Sequence, residues 1–249
     1  MGYFDTVKHV IEKADVILLI IDSRMPDLAM NKELDLLVAK KGKGLIYVFN
    51  KIDLLSFEDL NELKDKFSGA FFVSTTKKIG VEELTSGIYR LAHKRGIDLP
   101  HVGIVGYPNV GKSAIINAMA GRAKTNVSSV AGTTKGIQWI RAGKLRIIDS
   151  PGVITYEENE ERLGFIGAKN PEQMKNPESV ACEIIDHCIK KNKKAFEEFY
   201  GIKVETEDKY QVMLQVGSKR KFLLKKGEID EKRTAIHIIR DWQKGILKI

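Results

Sequence analysis

The first half of the chain alternates between short apolar runs and amphipathic stretches. The most continuous run covers residues 14–22, and shorter ones follow at 45–49, 70–73 and 102–105. Continuous apolar runs of this length are typical of strands that are buried on both faces of a parallel sheet. The stretches between them have helical spacing, which predicts a three-layer α/β domain with a mostly parallel sheet.

The pattern changes in the second half of the chain. Two more strands are predicted within residues 137–148, and beyond them the chain becomes acidic and then takes on helical spacing. The last helix is predicted over residues 229–247, with Trp242 in the core. We therefore predict an α/β domain over residues 1–158 and a small, mainly helical domain over residues 159–249.

A phosphate-binding loop is predicted at residues 106–113, whose sequence GYPNVGKS fits the pattern GxxxxGK[ST] between an apolar run and a helix-like segment. Its glycines let successive backbone N–H groups turn inward, and the following helix start adds partial positive charge, so a di- or triphosphate is stabilised there. Lys112 would reach the β- and γ-phosphates, and Ser113 would hold Mg²⁺. The other nucleotide contacts predicted in this segment are Pro108, Asn109, Val110, Gly111 and Ala114.

A base-reading element is predicted at Asn50-Lys51-Ile52-Asp53, which follows the apolar run at 45–49. The Asp53 carboxylate can accept hydrogen bonds from both N1–H and the 2-amino group of guanine, whereas adenine offers neither donor there. Asn50 would bond the guanine edge and tie the loops together, and the Lys51 stem would cover the base. Backbone N–H groups of Ser74 and Thr75 would meet the guanine O6, unless this segment is an ordinary turn.

A second set of Mg²⁺ and γ-phosphate contacts is predicted around Asp149-Ser150-Pro151-Gly152. A carboxylate at the tip of a strand can hold Mg²⁺ through water, and the Gly152 N–H can approach a γ-phosphate because no Cβ blocks it. Thr134, in the polar stretch between the two segments, would close its hydroxyl over Mg²⁺; the alternative is a solvated loop.

Together these segments resemble the nucleotide-binding set of Ras-like GTPases, but in a different order. Here NKID and the Ser-Thr turn come first, followed by GYPNVGKS, the threonine and DSPG, whereas the usual order starts with the phosphate loop. This circular permutation is similar to that of the YlqF/RbgA class of GTPases, which act in assembly of the large ribosomal subunit. Residues 227–230 and 239–245 resemble that family's carboxy-terminal helical domain, and residues 22–26 (DSRMP) resemble its D-[AS]-R-x-P stretch.

The resemblance implies a circularly permuted P-loop GTPase domain that binds GTP and GDP with Mg²⁺. It implies catalytic roles for Lys112, Thr134, Gly152 and Asn109. Many GTPases orient the attacking water with a Gln just after DxxG, whereas this chain has Val153, so we expect slow intrinsic hydrolysis. Asn109 resembles the residue that holds a K⁺ ion near the β- and γ-phosphates in related GTPases; otherwise it is an amide that stabilises the loop.

Charge and composition narrow the choice of partner. The net charge is +8, and lysine and arginine cluster at residues 190–194, 219–221 and 225–226. These clusters are either solvated faces or, with the family resemblance, a surface for ribosomal RNA. The two cysteines fit neither a disulfide framework nor a zinc site, and the longest apolar run is too short to span a bilayer. We expect a cytoplasmic monomer that binds neither DNA nor membranes.

The function predicted on these grounds is that of a GTP-hydrolysing switch in assembly of the large ribosomal subunit, with ribosomal RNA or ribosomal proteins as partners. Two alternatives stay open on sequence grounds. One is a GTPase that assists RNA modification, and the other is a GTP-dependent module that binds proteins or membranes.

Overall fold

The computed structural model of the chain describes residues 3–29, 32–121, 138–149 and 160–247. The chain divides into two compact units, Met1–Tyr156 and Glu157–Ile249. The predicted boundary near residue 158 lies outside the described residues and stays a prediction. None of the described helices is long and apolar enough to cross a membrane.

The first unit contains one mixed six-stranded sheet with the order β3-β2-β1-β4-β6-β5. All neighbouring strands are parallel except β5 and β6, which form an antiparallel pair. The mostly parallel sheet predicted from the apolar runs is therefore confirmed. The strands are β1 Val16–Asp22, β2 Gly44–Asn50, β3 Phe71–Val73, β4 His101–Val105, β5 Gln138–Ala142 and β6 Leu145–Asp149.

Helices cover both faces of this sheet. Position 103 of β4 lies against Val10, and position 44 of β2 lies against Leu91. In the register of the sheet Gly103 pairs with Ile17, and Gly44 pairs with the preceding residue of β1, so the two glycines lie on opposite faces. The helices of this unit are α1 Tyr3–Lys13, α2 Pro26–Ala29, α3 Lys32–Lys40, α4 Phe57–Lys66, α5 Val81–Lys94 and α6 Lys112–Ala120, with a 3₁₀ turn at Ile52–Leu54.

The parallel register brings three loops to one edge of the sheet. Strand β1 is buried along its whole length and lies between β2 and β4. Asp22, the last residue of β1, pairs with Asn50, the last residue of β2, and Leu19 pairs with Val105 at the end of β4. The segments that follow β1, β2 and β4 therefore meet at the carboxyl edge, where open α/β sheets bind ligands.

The second unit is helical in its described part. Its helices are α7 Glu160–Phe165, α8 Pro177–Tyr200, α9 Lys209–Lys219 and α10 Glu231–Gln243, with a 3₁₀ turn at Pro171–Gln173. Helix α8 is interrupted at Asn192, which has non-helical backbone angles and whose side chain caps the following turn through Ala195 N–H.

The last helix is shorter than the predicted 229–247. It begins at Glu231 because the Asp230 side chain caps it by accepting a hydrogen bond from Arg233 N–H, 3.0 Å away. It ends at Gln243, and two residues later the chain turns through a left-handed glycine, Gly245.

Trp242 lies at the centre of the second unit's core and is fully buried, as predicted. Its ring packs against Phe165 and His187, and its indole Nε1–H donates a 2.8 Å hydrogen bond to the Phe165 carbonyl. This single side chain therefore joins α7, α8 and α10 by both apolar contact and hydrogen bonding.

We expect Trp242→Phe to lower the free energy of unfolding of the second unit by about 2 kcal/mol, because it removes the donor to the Phe165 carbonyl and leaves unfilled volume. The matched control is Trp139→Phe in the first unit, since Trp139 is half exposed and its truncation should change stability by less than about 0.5 kcal/mol. Urea titrations followed by circular dichroism measure both changes. Equal losses in the two variants would contradict the central role of Trp242.

Candidate nucleotide-binding site

The loop between β4 and α6 has backbone angles that require glycine at two positions. Gly106 and Gly111 have φ angles of 147° and 98°. A Cβ at position 106 would lie 2.4 Å from the Ile20 carbonyl oxygen, and one at position 111 would lie 2.2 Å from Asn50 Nδ2. Both fixed glycines of the motif therefore allow a close approach that any side chain would prevent.

The Lys112 side chain folds back over this loop. Its ammonium donates hydrogen bonds to the carbonyl oxygens of Gly106 and Tyr107, at 2.9 and 2.8 Å, and it is buried. These contacts hold a positive charge at the loop, at the start of α6, where backbone N–H groups already favour an anion. Pro108 and Val110 are buried within the loop, while Asn109, Ser113 and Ala114 are partly exposed.

The base-reading element is connected directly to this loop. The side-chain amide of Asn50 donates a 2.8 Å hydrogen bond from Nδ2 to the Val110 carbonyl. Asn50 is buried, and its Oδ1 has no hydrogen-bond partner among the described residues. A buried acceptor without a partner is rare in folded proteins, and here it lies at the ligand-binding edge of the sheet.

Asp53 is held by the turn that follows β3. Ser74 Oγ donates a 2.6 Å hydrogen bond to Asp53 Oδ1 and in turn accepts one from Lys77 N–H at 3.0 Å. Ser74 is fully buried, whereas Asp53 and Thr75 are partly exposed. The structure thus brings Asn50, Asp53 and Ser74 to the same edge of the sheet as the phosphate loop.

The predicted Mg²⁺ ligands are only partly within the described structure. Ser113 lies in the first turn of α6, and Asp149 ends β6, where it pairs with Ile104 of the phosphate-loop strand. The Ser113 hydroxyl is a ligand of the kind that Mg²⁺ prefers, and the backbone of the predicted ligand Asp149 ends the neighbouring strand. Thr134, Gly152 and Val153 lie outside the described residues. In the described ranges no three acidic, cysteine or histidine side chains cluster as metal ligands.

A buried ion cluster adjoins the base-reading element, and the sequence patterns assigned it no role. Asp22 and Arg24 form a salt bridge of 2.8 Å, and Lys51 Nζ lies 2.8 Å from the same carboxylate oxygen. Burial by itself would raise the pKa of Asp22, but the charges of Arg24 and Lys51 outweigh it and hold that pKa well below its usual range. The sequence carried one sign of this cluster, namely a carboxylate at the end of a strand predicted to be buried. Because buried charges are rarely left unpaired, such a carboxylate indicates a nearby cation.

Known proteins resemble the chain in sequence and in fold. A family of 50S ribosome-binding GTPases matches residues 101–219. An uncharacterized GTP-binding protein of Methanocaldococcus jannaschii is 40% identical over 97% of this chain and 65% of its own length. Nucleolar GTP-binding protein 2 of Pneumocystis carinii is 30% identical over 94% of the chain and 50% of its own length.

The fold comparison covers nearly the whole chain. The crystal structure of GNP-bound YlqF from T. maritima matches with a TM-score of 0.62, over 98% of this chain and 94% of that one, at 21% sequence identity. The chain has the fold of this circularly permuted GTPase. The resemblance drawn from the motif order is confirmed, and so is the predicted fold of a permuted P-loop domain followed by a small helical domain.

The chain spans less than two thirds of the length of the two curated relatives described above, 65% and 50%.

The predicted basic clusters all lie in the second unit of the chain. Lys190, Lys191, Lys193 and Lys194 are exposed around the interruption of α8, as are the basic residues at 219–221 and 225–226 near the end of α9.

Proposed function

We propose that this chain binds and hydrolyses GTP and that it acts as a switch in assembly of the large ribosomal subunit. The observation that carries the first part is the hydrogen bond from Asn50 to the Val110 carbonyl. It joins the element that reads the base to the loop that holds the phosphates, although the two are 60 residues apart in the chain. A phosphate loop alone would suit any nucleotide, and the adjoining NKID segment supports guanine as the base.

Different residues of the site would bind the base, the phosphates and Mg²⁺. Asp53, oriented by Ser74, accepts the two guanine donors, and the backbone of residues 106–111 with Lys112 binds the phosphates. Ser113, Asp149 and Thr134 would hold Mg²⁺, which supplies positive charge to the β- and γ-phosphate oxygens. Hydrolysis adds water to the γ-phosphorus and breaks the bond to the β-phosphate oxygen, which releases GDP and inorganic phosphate.

Slow intrinsic hydrolysis follows from the residue after DxxG. Val153 can neither accept a proton from water nor orient it by hydrogen bonding. Stabilisation of the transition-state charge must therefore come from the phosphate loop and its bound cations. Asn109 is suited to hold a K⁺ ion, since it lies in the loop with a left-handed φ of 62°, which asparagine tolerates better than most residues.

We expect K⁺ to stimulate GTP hydrolysis more than Na⁺ does, and we expect Asn109→Gly to abolish that preference. Glycine removes the amide oxygen but accepts the left-handed backbone, so the loop itself should persist. Asn109→Asp is the comparison variant: it keeps a side-chain oxygen and the same backbone tolerance, so it should keep the K⁺ preference although its added charge beside the phosphates weakens nucleotide binding. Phosphate release in KCl and in NaCl measures the ratio. An unchanged K⁺ preference in Asn109→Gly would show that this amide only stabilises the loop.

The ribosomal part of the proposal is supported by the matched family's description and by the exposed lysines of the second unit. Ribosomal RNA is the partner that suits such clusters, because lysine contacts to phosphates release counterions and give salt-dependent affinity. A protein partner without an acidic surface would leave this charge without a corresponding polyanion.

We expect the chain to co-sediment with large-subunit particles in the presence of a non-hydrolysable GTP analogue and to release them as salt is raised. Replacement of Lys190, Lys191, Lys193 and Lys194 by Gln should weaken this binding roughly 10-fold or more at physiological salt. The matched control replaces four exposed lysines of the first unit, Lys8, Lys13, Lys40 and Lys64, and so makes the same change in net charge. If both sets of substitutions weaken binding to the particles equally, the lysines of the second unit contribute only through net charge and form no specific contact surface.

A further inference from the structure

The loop after β1 occupies the centre of the ligand-binding edge. Strand β1 lies between the strand that ends in the base-reading element and the strand that leads into the phosphate loop. Ser23 N–H continues this arrangement by donating a 2.9 Å hydrogen bond to the Asn50 carbonyl. Residues 22–25 are all buried. The loop is therefore a structural part of this edge.

The Asp22 carboxylate is surrounded by donors. Oδ1 accepts from the Arg24 backbone N–H at 3.1 Å and from Arg24 Nε at 3.0 Å. Oδ2 accepts from Arg24 Nη2 and lies 2.8 Å from Lys51 Nζ. The Asp22 and Arg24 side chains are only 2% and 1% exposed, and that of Lys51 is 20% exposed. Arg24 thus contacts both oxygens of the carboxylate, and one of these oxygens, Oδ2, also faces Lys51.

Stability alone does not account for this cluster. Removing charges from water is costly, and a buried ion pair is often no more stabilising than apolar side chains of the same volume. Burial lowers the pKa of Lys51, and the neighbouring charge of Arg24 lowers it further, although the Asp22 carboxylate opposes both. The Ser23 hydroxyl and the Asn50 amide oxygen are also buried without hydrogen-bond partners among the described residues. Polar groups left unsatisfied at one edge indicate binding rather than packing.

Lys51 is the residue that this cluster orients. Its backbone has a φ of 65°, a left-handed conformation that is unfavourable for a lysine by about 1 kcal/mol or more. Its carbonyl accepts from Leu54 N–H at 3.0 Å, which starts the 3₁₀ turn carrying Asp53. Backbone and ammonium are therefore both fixed, and the four-carbon stem between them is held in one direction.

We infer that Arg24, acting through Asp22, is a positioning residue that holds the Lys51 stem against the guanine base. This inference rests on the proposed function, since it assigns a role within the same nucleotide site. Arg24 touches neither the nucleotide nor the reacting atoms in this scheme. Its effect on binding passes entirely through Lys51, and that dependence can be measured.

A double-mutant cycle tests the inference with fluorescent methylanthraniloyl-GDP and Mg²⁺ as the probe. Arg24→Gln should speed dissociation of the probe roughly 10-fold in the wild-type background and less than about 2-fold in a Lys51→Ala background. Arg24→Lys keeps the charge but loses the bidentate contact with Asp22, so it should also speed dissociation. This variant replaces Arg24→Gln in the cycle if Arg24→Gln fails to fold. Lys66→Gln, which breaks the exposed ion pair with Asp27, is the matched control and should leave the rate unchanged.

The possible outcomes distinguish a failure of this inference from a failure of the proposed nucleotide site. Equal effects of Arg24→Gln in both backgrounds would overturn the inference, because Arg24 would then support the site in a general way. The same holds if Lys51→Ala weakens binding while both Arg24 variants bind like the wild type. Failure of the unmodified chain to bind the probe would instead refute the proposed nucleotide site itself.

Discussion

Asp53→Asn is expected to weaken binding of GDP roughly 10³-fold or more and to create affinity for xanthosine diphosphate. The carboxylate accepts from both N1–H and the 2-amino group of guanine, whereas the amide must present a donor to one of them. Xanthine carries a carbonyl in place of the 2-amino group, so it can accept that donor. The exchange of one oxygen for one NH₂ group should therefore exchange one base for the other.

The contact with Ser74 should fix the orientation of the new amide group at position 53. Ser74 Oγ donates to Asp53 Oδ1 at 2.6 Å, and the oxygen of an asparagine at this position can accept the same bond. That contact would leave the new Nδ2 in the place of the second carboxylate oxygen.

Isothermal titration calorimetry with GDP, xanthosine diphosphate and ADP measures this change of base preference. Asp65→Asn, an exposed acid on α4, is the control with the same change in charge. If Asp53→Asn keeps the wild-type preference for GDP, Asp53 does not read the base and the proposed site is wrong. Tight binding of ADP by the unmodified chain would lead to the same conclusion.

Lys112→Ala is expected to weaken binding of both GTP and GDP by roughly 10²- to 10³-fold. Charge-assisted hydrogen bonds to phosphate are worth about twice as much as neutral ones, and the variant removes a buried ammonium that several oxygens would share. The loop should keep its shape, because its unusual backbone angles depend on Gly106 and Gly111 rather than on the lysine.

Guanosine provides the internal comparison for this second variant. It carries the base but no phosphate, so its weak binding should not change when Lys112 is replaced. Lys94→Ala removes an exposed lysine from α5 and controls for net charge. Equal losses for guanosine and GDP would show that Lys112→Ala damages the whole site rather than the phosphate contact, and thermal unfolding of each variant reports that damage independently.

The elements were largely predictable because their signals are local. The burial of a parallel strand on both faces requires an unbroken apolar run, and the run at 14–22 contains β1 at Val16–Asp22. The two glycines of the phosphate loop likewise reflect backbone angles of the loop itself. The cap of α4 is also a contact between chain neighbours, since the Ser56 hydroxyl accepts from Asp59 N–H at 3.1 Å.

The ends of an element were predicted less well where a single cap or turn determines them. The last helix lost two residues at its start to the Asp230 cap and four at its end to the turn at Gly245, although the apolar spacing continues to Leu247. Helical spacing reports which residues can face a core, and Leu247 does so, fully buried, from outside the helix. Periodicity alone therefore overestimates such a helix.

The sequence by itself determined the strands, the phosphate loop and the permuted order of the motifs, because each depends on residues that are neighbours in the chain. Only the tertiary structure decided that β1 lies between β2 and β4 and that Asn50 bonds the loop carbonyl of Val110. It also decided that Asp22 and Arg24 meet Lys51. Contacts of this kind depend on strand order and register, which the spacing of apolar residues leaves open.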